Sequence, residues 1–152
     1  MTARPYTAIE VAIANRVISI MSRLNTWAYR MTGGRVGGTF LRGAPVMLLT
    51  VIGRKSGRRL TVPLLYLRDG DQVVTVASKG GMDHHPLWYL NLVANPDVDV
   101  QINKDVRPMR ARTANDDERA LYWSKLVAMY RDYDDYQART ERKIPVVVLS
   151  PR

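Results

Sequence analysis

Gly53-Arg54-Lys55-Ser56-Gly57-Arg58-Arg59-Leu60-Thr61-Val62-Pro63-Leu64 opens the stretch that decides how this chain folds. It runs on to Ser78-Lys79-Gly80-Gly81 and to Pro86-Leu87-Trp88-Tyr89-Leu90-Asn91, and stops at Asn95-Pro96. Two glycine-punctuated basic turns thus bracket two strand-like runs, Leu60 to Arg68 and Gln72 to Ala77. Asp69-Gly70-Asp71 between the runs is a hairpin signal. Pairing the runs would bring both basic turns to one end of a sheet. Such turns offer free backbone N–H groups, hydroxyls and fixed positive charge, which is the chemistry a phosphate requires. The stretch reads as a cradle for a phosphorylated cofactor. The bland alternative for the first turn is a solvated hairpin tip.

Toward the amino terminus, Pro45 to Ile52 reads as a buried strand. Thr32 to Gly38 is glycine-rich but lacks the Lys-Ser/Thr ending of a phosphate loop, so it reads as a connector. Residues 1–7 read as a loose start and Ala8 to Met31 as a helix. Ile13, Val17, Ile20, Met21, Leu24 and Ala28 share one stripe, and Arg16, Ser19, Arg23, Thr26 and Arg30 the opposite one. The arginines rule out a membrane-spanning helix, since each would cost roughly 2.5–3.5 kcal/mol at mid-bilayer. No compact apolar run with a cleavage site follows Arg4, so a signal peptide is not expected. Two readings of the helix stay open: a core helix with a solvated basic face, or a helix lying on an anionic membrane surface.

Toward the carboxyl terminus, Trp88 to Asn95 is helical, and Val98 to Asn103 and Val106 to Thr113 read as strands. Pro108 argues that the latter is an edge or a bulge. Asn115 can cap a helix reaching about Met129, with Asp116, Asp117 and Glu118 favourable in its first turn. Ile144 to Leu149 closes the chain as a strand. Short hairpin links favour a mainly β (α+β) fold, an antiparallel barrel of about six strands with peripheral helices. One domain is expected over residues 1–152, with the amphipathic helix in 1–31 and the barrel in 45–152.

Composition narrows the chemistry. The chain has 152 residues, 46% of them hydrophobic and 24% charged, enough for one domain with a real core. With no cysteine there is no disulfide, thiolate metal site or thiol nucleophile. His84 and His85 are adjacent and point apart on any regular element, so no metal site is expected. The net charge is +9. Residues 1–68 hold 11 Arg/Lys against the single acid Glu10, whereas residues 69–152 hold 12 basic and 13 acidic groups. The excess therefore lies in the first half, which suggests an anionic partner.

Two aromatic groupings could carry chemistry. Trp88 is either core packing or a wall for a planar ring, with Asn91 one turn further on as a polar handle. Tyr130, Tyr133 and Tyr136 recur at intervals of three and would share a helix face. They form either a core stripe or a lid over an aromatic substrate, with phenols as hydrogen-bond donors.

Taken together, Gly53-Arg54-Lys55-Ser56-Gly57, Ser78-Lys79-Gly80-Gly81, Pro86-Leu87-Trp88-Tyr89-Leu90-Asn91-Leu92, Ala94-Asn95-Pro96 and Ile144-Pro145-Val146-Val147-Val148 resemble the deazaflavin (coenzyme F-420)-dependent nitroreductase family of mycobacteria and other actinobacteria. Ser22-Arg23-Leu24-Asn25-Thr26-Trp27 and Gly37-Gly38-Thr39-Phe40 extend the resemblance over nearly the whole chain. The presence of all three tyrosines resembles the members that reduce quinones and activate bicyclic nitroimidazoles. The resemblance implies a split β-barrel, as in flavin-binding oxidoreductases, and coenzyme F-420 as cofactor. It implies that Arg54, Lys55 and Ser56 hold the coenzyme's phosphate, with Gly57 allowing close approach and Lys79 nearby. Val62, Pro63, Leu64, Ala77, Ser78, Leu87, Trp88 and Asn91 would line the deazaflavin ring. Close relatives carry a basic residue where Leu60 stands, a part that Arg58 or Arg59 would take. They carry tyrosine where Leu65 stands, whereas Tyr66 here replaces an apolar residue; one step along a strand moves a side chain to the other face.

The activity so implied is hydride transfer from the reduced deazaflavin to a quinone (menaquinone-like) or a nitroaromatic acceptor. Ser78, Tyr66, Tyr130, Tyr133 and Tyr136 form the candidate catalytic set, with Ser78 and Tyr133 stabilising charge and relaying a proton. The expected location is cytoplasmic, peripheral on the inner face of the membrane through residues 8–31. Competing readings are an FMN or haem-type oxidoreductase on the same barrel and a basic, non-enzymatic binder of membrane or nucleic acid. Nucleic acid is disfavoured because the tyrosines lie in an acidic segment rather than among the basic residues.

Overall fold

A computed structural model describes residues 4–40 and 43–152; the loose start read over 1–7 is therefore seen only from Arg4. The elements in order are α1 (Ala8–Thr32), β1 (Val46–Ile52), β2 (Arg59–Leu65), β3 (Leu67–Asp69), β4 (Gln72–Val76), α2 (Leu87–Ala94), β5 (Asp97–Ile102), β6 (Asp105–Thr113), α3 (Asp116–Met129), α4 (Asp132–Ala138) and β7 (Val146–Pro151). The strands form one antiparallel sheet in the order β2-β1-β5-β6-β7-β4-β3.

The expected hairpin between Leu60–Arg68 and Gln72–Ala77 forms only in part. β4 pairs with β3, from Leu67 opposite Val74 to Asp69 opposite Gln72. β2 pairs instead with β1, from Ile52 opposite Arg59 to Val46 opposite Leu65. Only Tyr66 separates β2 from β3, yet they stand at the two ends of the sheet. The sheet must therefore curl until its ends meet. The Thr75 hydroxyl seals this meeting by donating to Leu65 O at 2.8 Å. No ladder joins β2 to β3 or β4 among the described residues, so the barrel is split rather than closed. Pro63 lies in β2, an edge strand, where a missing N–H is tolerated.

Pro108 reads differently in place. β6 is central, not an edge, and no bulge is needed: the β6–β7 pairing begins at Met109 opposite Pro151, one residue beyond the proline. The missing N–H thus falls where the neighbouring strand has run out.

Alternation along the strands sorts the core. Met47, Leu49, Val51, Val98, Val100, Met109, Val147 and Leu149 pack together inside the curl, with Trp88 and Leu92 of α2. Val74, Val76, Val146 and Val148 face the other way, against Tyr122 and Leu126 of α3 and Tyr130 and Tyr133. Both faces of β7 are covered, which explains its unbroken apolar run. α3 starts on the expected cap: Asn115 accepts from Glu118 N while the Glu118 side chain accepts from Asn115 N.

α1 departs from the core-helix reading. Of its 25 residues only Tyr29 is buried. The apolar stripe faces outward: Ile13 is 61% exposed, Leu24 65% and Trp27 65%. The helix is tied down near its end, where Asn103 N donates to the Tyr29 hydroxyl at 2.7 Å and Arg30 donates to Thr61 at 2.8 Å. No described helix is long and apolar enough to cross a membrane.

Candidate functional site

The sheet directions decide where the basic turns lie. β1 and β4 are separated in the sheet by β5, β6 and β7, all antiparallel in succession, so β1 and β4 run the same way. The segments that follow them, residues 53–58 and 77–82, therefore leave from the same end of the barrel. That expectation holds, although the strand pairing behind it is different.

The first turn is built by glycine. Gly57 has φ 70°, Gly57 N donates to Gly53 O at 2.8 Å, and Gly53 N donates to Arg58 O at 2.8 Å. A Cβ on Gly53 would stand 2.6 Å from Ser56 Oγ. Ser56 is exposed, and its hydroxyl accepts from Arg58 N at 3.2 Å within the turn. Arg54 is fixed by Asn91, whose Oδ1 accepts from Arg54 N at 3.1 Å and from Nη1 at 3.2 Å. Arg59 is engaged with Asp99 at 2.6 Å. Lys55 and Arg58 are exposed and make no ion pair among the described residues. An anionic group fits here: two free cations flank a turn whose glycine Cβ position at Gly57 meets nothing within 4 Å.

The second turn is tighter. Lys79, Gly80 and Gly81 have φ of 45°, 63° and 80°, three left-handed residues in a row. Gly81 N donates to Ser78 O at 2.9 Å, closing a 3-10 turn over Lys79–Gly81. A Cβ on Gly81 would lie 2.5 Å from Tyr136 O, so the turn is seated directly on α4. Lys79 Nζ approaches His84 Nε2 at 2.8 Å, and burial, then the Arg142 charge, lowers the pKa of Lys79.

α2 bridges the two turns. Its Asn91 is buried and holds Arg54, while Pro86 caps its start just after the second turn. Trp88 is 9% exposed and packs in the barrel core, with an edge-on contact to Tyr89 at 6.3 Å. Leu87 points outward. Val62, Pro63 and Leu64 are half-buried on the edge strand, and Ala77 is buried at the end of β4. Tyr66 packs on the inner cluster while its neighbour Leu65 packs on the outer ones, as the strand period requires.

The tyrosines form a packed cluster. Tyr130 ends α3 and is buried, Tyr133 is buried in α4, and Tyr136 is half-buried. The Tyr130 and Tyr136 hydroxyls are 3.1 Å apart, and the Tyr130 and Tyr133 rings meet edge-on at 5.1 Å. Burial pushes all three phenol pKa values up, so they stay protonated and able to donate. Two partners escaped the sequence reading. Phe40 meets Tyr130 at 5.9 Å, and Arg139 lies over the Tyr6 ring at 4.9 Å, beside Tyr136. Neither pairing has a spacing signal, because the contacts join segments far apart in the chain.

A depression of about 510 Å³ lies on β5, β6 and β7, lined by Asp97, Arg110, Arg112 and Arg152 among others. Its cations are already paired, Arg110 with Asp97 at 3.0 Å and Arg112 with Glu118 at 2.7 Å, so it offers no free charge to a ligand. Among the described residues no cluster of His, Asp or Glu could hold a metal.

The family model for F-420H(2)-dependent quinone reductase matches residues 21–151. The chain belongs to that family. A protein of Mycobacterium tuberculosis named F-420H(2)-dependent quinone reductase is 40% identical over 133 residues, 86% of this chain and 89% of its own length. A second M. tuberculosis protein, provisionally given the same name, is 47% identical over 118 residues, 78% of this chain and 99% of its own. A solved F-420-H(2) dependent reductase superposes with a TM-score of 0.66 at 41% identity, covering 70% of this chain and 94% of that one. A haem storage protein of Vibrio cholerae at 12% identity (TM-score 0.53) and a FAD-binding protein of Mesorhizobium loti at 16% (TM-score 0.51) share the fold alone. The family is one of oxidoreductases that use coenzyme F-420, and quinone is the acceptor in its name.

Proposed function

We propose that the barrel end carrying both basic turns is the coenzyme site of this reductase, within a single domain spanning residues 1–152. The observation that carries the reading is convergence. Two cationic turns leave the same end of the sheet, α2 joins them, and the second rests on the tyrosine-bearing α4. When bound, the reduced deazaflavin supplies a hydride to the acceptor. Lys55 and Arg58 hold the coenzyme's phosphate by charge-assisted bonds, with Arg54 fixed beside them through Asn91. Arg59 contributes field rather than contact, being engaged with Asp99. Val62 to Leu64 and Ala77 to Lys79 frame the ring. Ser78 and Tyr133 donate hydrogen bonds to the acceptor oxygen as it gains charge, and the protonated phenols keep that capacity through the physiological range. A quinone oxygen and a nitro oxygen place the same demand on these donors, so both acceptor classes fit.

The outward stripe of α1 supports a peripheral membrane contact at the inner face of the cell membrane. Ile13, Val17, Ile20, Leu24 and Trp27 are exposed together, and Arg16, Arg23 and Arg30 of the same helix are exposed as well, a combination that suits an anionic bilayer surface. Such a position would also bring the site to a lipid-dissolved quinone.

The test is optical. Oxidation of the reduced coenzyme is followed against menaquinone-like quinones and nitroaromatics. Turnover with quinone is expected; failure to bind the coenzyme at micromolar concentration would overturn the site, and binding without turnover on any quinone would overturn the acceptor. Flotation with anionic vesicles should be lost when residues 1–30 are removed, and equal flotation would overturn the role of α1.

A further inference from the structure

Arg142 stands in the loop between α4 and β7, in the run Thr140-Glu141-Arg142-Lys143, where sequence suggests nothing more than a solvated charge. Its guanidinium is turned inward. Nε donates to Met82 O at 2.8 Å, Nη2 to Ser78 O at 2.7 Å, and Nη1 to Ala77 O at 3.3 Å. Nη1 also meets His85 Nδ1 at 3.2 Å. One side chain thus holds both ends of the left-handed turn and the residue just before the α2 cap.

The direction of these bonds matters. In a trans peptide the C=O and the following N–H point opposite ways, and no cis peptide occurs among the described residues. Drawing Ala77 O and Ser78 O toward Arg142 therefore turns Ser78 N–H and Lys79 N–H away from it. Neither N–H has a hydrogen-bond partner among the described residues, whereas Ala77 N donates to Pro145 O at 2.9 Å and Gly81 N to Ser78 O at 2.9 Å. Two adjacent free donors on a strained, fixed backbone form a small concavity for an acceptor oxygen. An arginine fork suits this task, since its donors diverge in one plane and can serve three carbonyls at once.

We infer that Arg142 is a positioning residue for coenzyme binding: by gripping the carbonyls of Ala77, Ser78 and Met82 it aims the Ser78 and Lys79 N–H groups at acceptor oxygens of the coenzyme. Arg142 itself touches neither coenzyme nor quinone. The inference rests on the proposed site, and the experiment separates the two.

Coenzyme affinity is measured by direct titration for the full chain, Arg142→Gln and Arg142→Lys, alongside quinone KM and amide NMR of the proteins without coenzyme. Arg142→Gln should weaken coenzyme binding about tenfold or more, the scale of losing charged hydrogen bonds. Quinone KM, measured at saturating coenzyme, should change by much less than coenzyme affinity. The Ser78 and Lys79 amide resonances should move in the variant before any coenzyme is added. Arg142→Lys keeps the charge but not the fork, so it should recover only part of the affinity. Full recovery would mean that charge alone acts and would overturn the positioning role. Unchanged affinity in Arg142→Gln would overturn it too, as would an equal loss in quinone KM. If Arg142→Gln does not fold, the wild-type protein decides: saturating coenzyme should shift the Ser78 and Lys79 amides, and their indifference would overturn the inference. Absence of coenzyme binding by the wild-type protein would instead overturn the site.

Discussion

The two basic turns read alike in sequence and are held in opposite ways. The first stands out in solvent and is shaped by its own glycines, with one buried amide, Asn91, fixing its leading arginine. The second lies against α4, carries three left-handed residues in succession, and is gripped from behind by a guanidinium 60 residues and more away in the chain. The first presents charge on a compliant frame. The second presents backbone donors on a rigid one. If both turns serve the proposed coenzyme site, the labour is divided, with loosely held cations for attraction and a strained, over-determined turn for geometry.

Alanine at the matching glycines should show the contrast most strongly. Gly81 has φ 80° and its Cβ would press on Tyr136 backbone at 2.5 Å, so strain and clash add. Gly81→Ala should cost about 3 kcal/mol of unfolding free energy. Gly57 has φ 70° but open space around its Cβ, and Gly57→Ala should cost about 1 kcal/mol. Denaturant unfolding of the two variants measures both. Equal losses would mean that the two turns are held alike.

Next in size are effects on the coenzyme. Lys55→Ala should weaken coenzyme binding about tenfold while unfolding stability stays within about 0.5 kcal/mol. Asn91→Ala removes the tie on Arg54 and should cost about 1 kcal/mol of stability with a smaller loss of affinity. Tyr133→Phe should leave coenzyme affinity intact and slow quinone reduction. If Lys55→Ala and Tyr133→Phe lost affinity equally, the division between charge and acceptor donors would fail.

Local signals account for the parts that were legible in advance. Asn115 with Glu118 three residues on fixes the α3 start by bonds within one turn, and Asp69-Gly70-Asp71 marks a tight reversal for the same reason. The shared end of the two basic turns was readable because strand direction alternates whatever the partner. The partner itself was not readable: β2 is as apolar as β4, and its choice of β1 depends on the crossing at Tyr66. The α1 stripe shows why periodicity stops short. A period of 3.6 says that one side is apolar, not that anything covers it. Arg142 was invisible because its partners are backbone carbonyls of a distant turn, and a carbonyl has no residue signature.

The smallest difference between the turns is in their response to pH. The first turn carries no histidine. The second is followed by His84 and His85, both held below their ordinary value of 6.5. Burial is the leading cause for each. Lys79 and then Arg142 add to it at His84, with Asp83 opposing, and Arg142 adds to it at His85, where the Tyr89 ring lies tilted at 4.9 Å. A neutral His85 Nδ1 can accept from Arg142, and a protonated one cannot. A histidine whose folded pKa is depressed binds fewer protons folded than unfolded between that pKa and 6.5. Its stabilisation is therefore complete above 6.5 and lost as the pH falls through that window. Glu10 and Glu118, each held at about 2 by hydrogen bonds from an arginine first, lose theirs only between 4.5 and about 2. The two losses thus separate on the pH axis. Unfolding free energy of the wild-type protein should decline as the pH falls below 6.5, before the carboxylate limb begins, and the His84→Gln/His85→Gln double variant should flatten that decline while leaving the acid limb in place. A wild-type profile already flat above the carboxylate window would mean that the Arg142–His85 contact holds the second turn no more firmly than Asn91 holds the first.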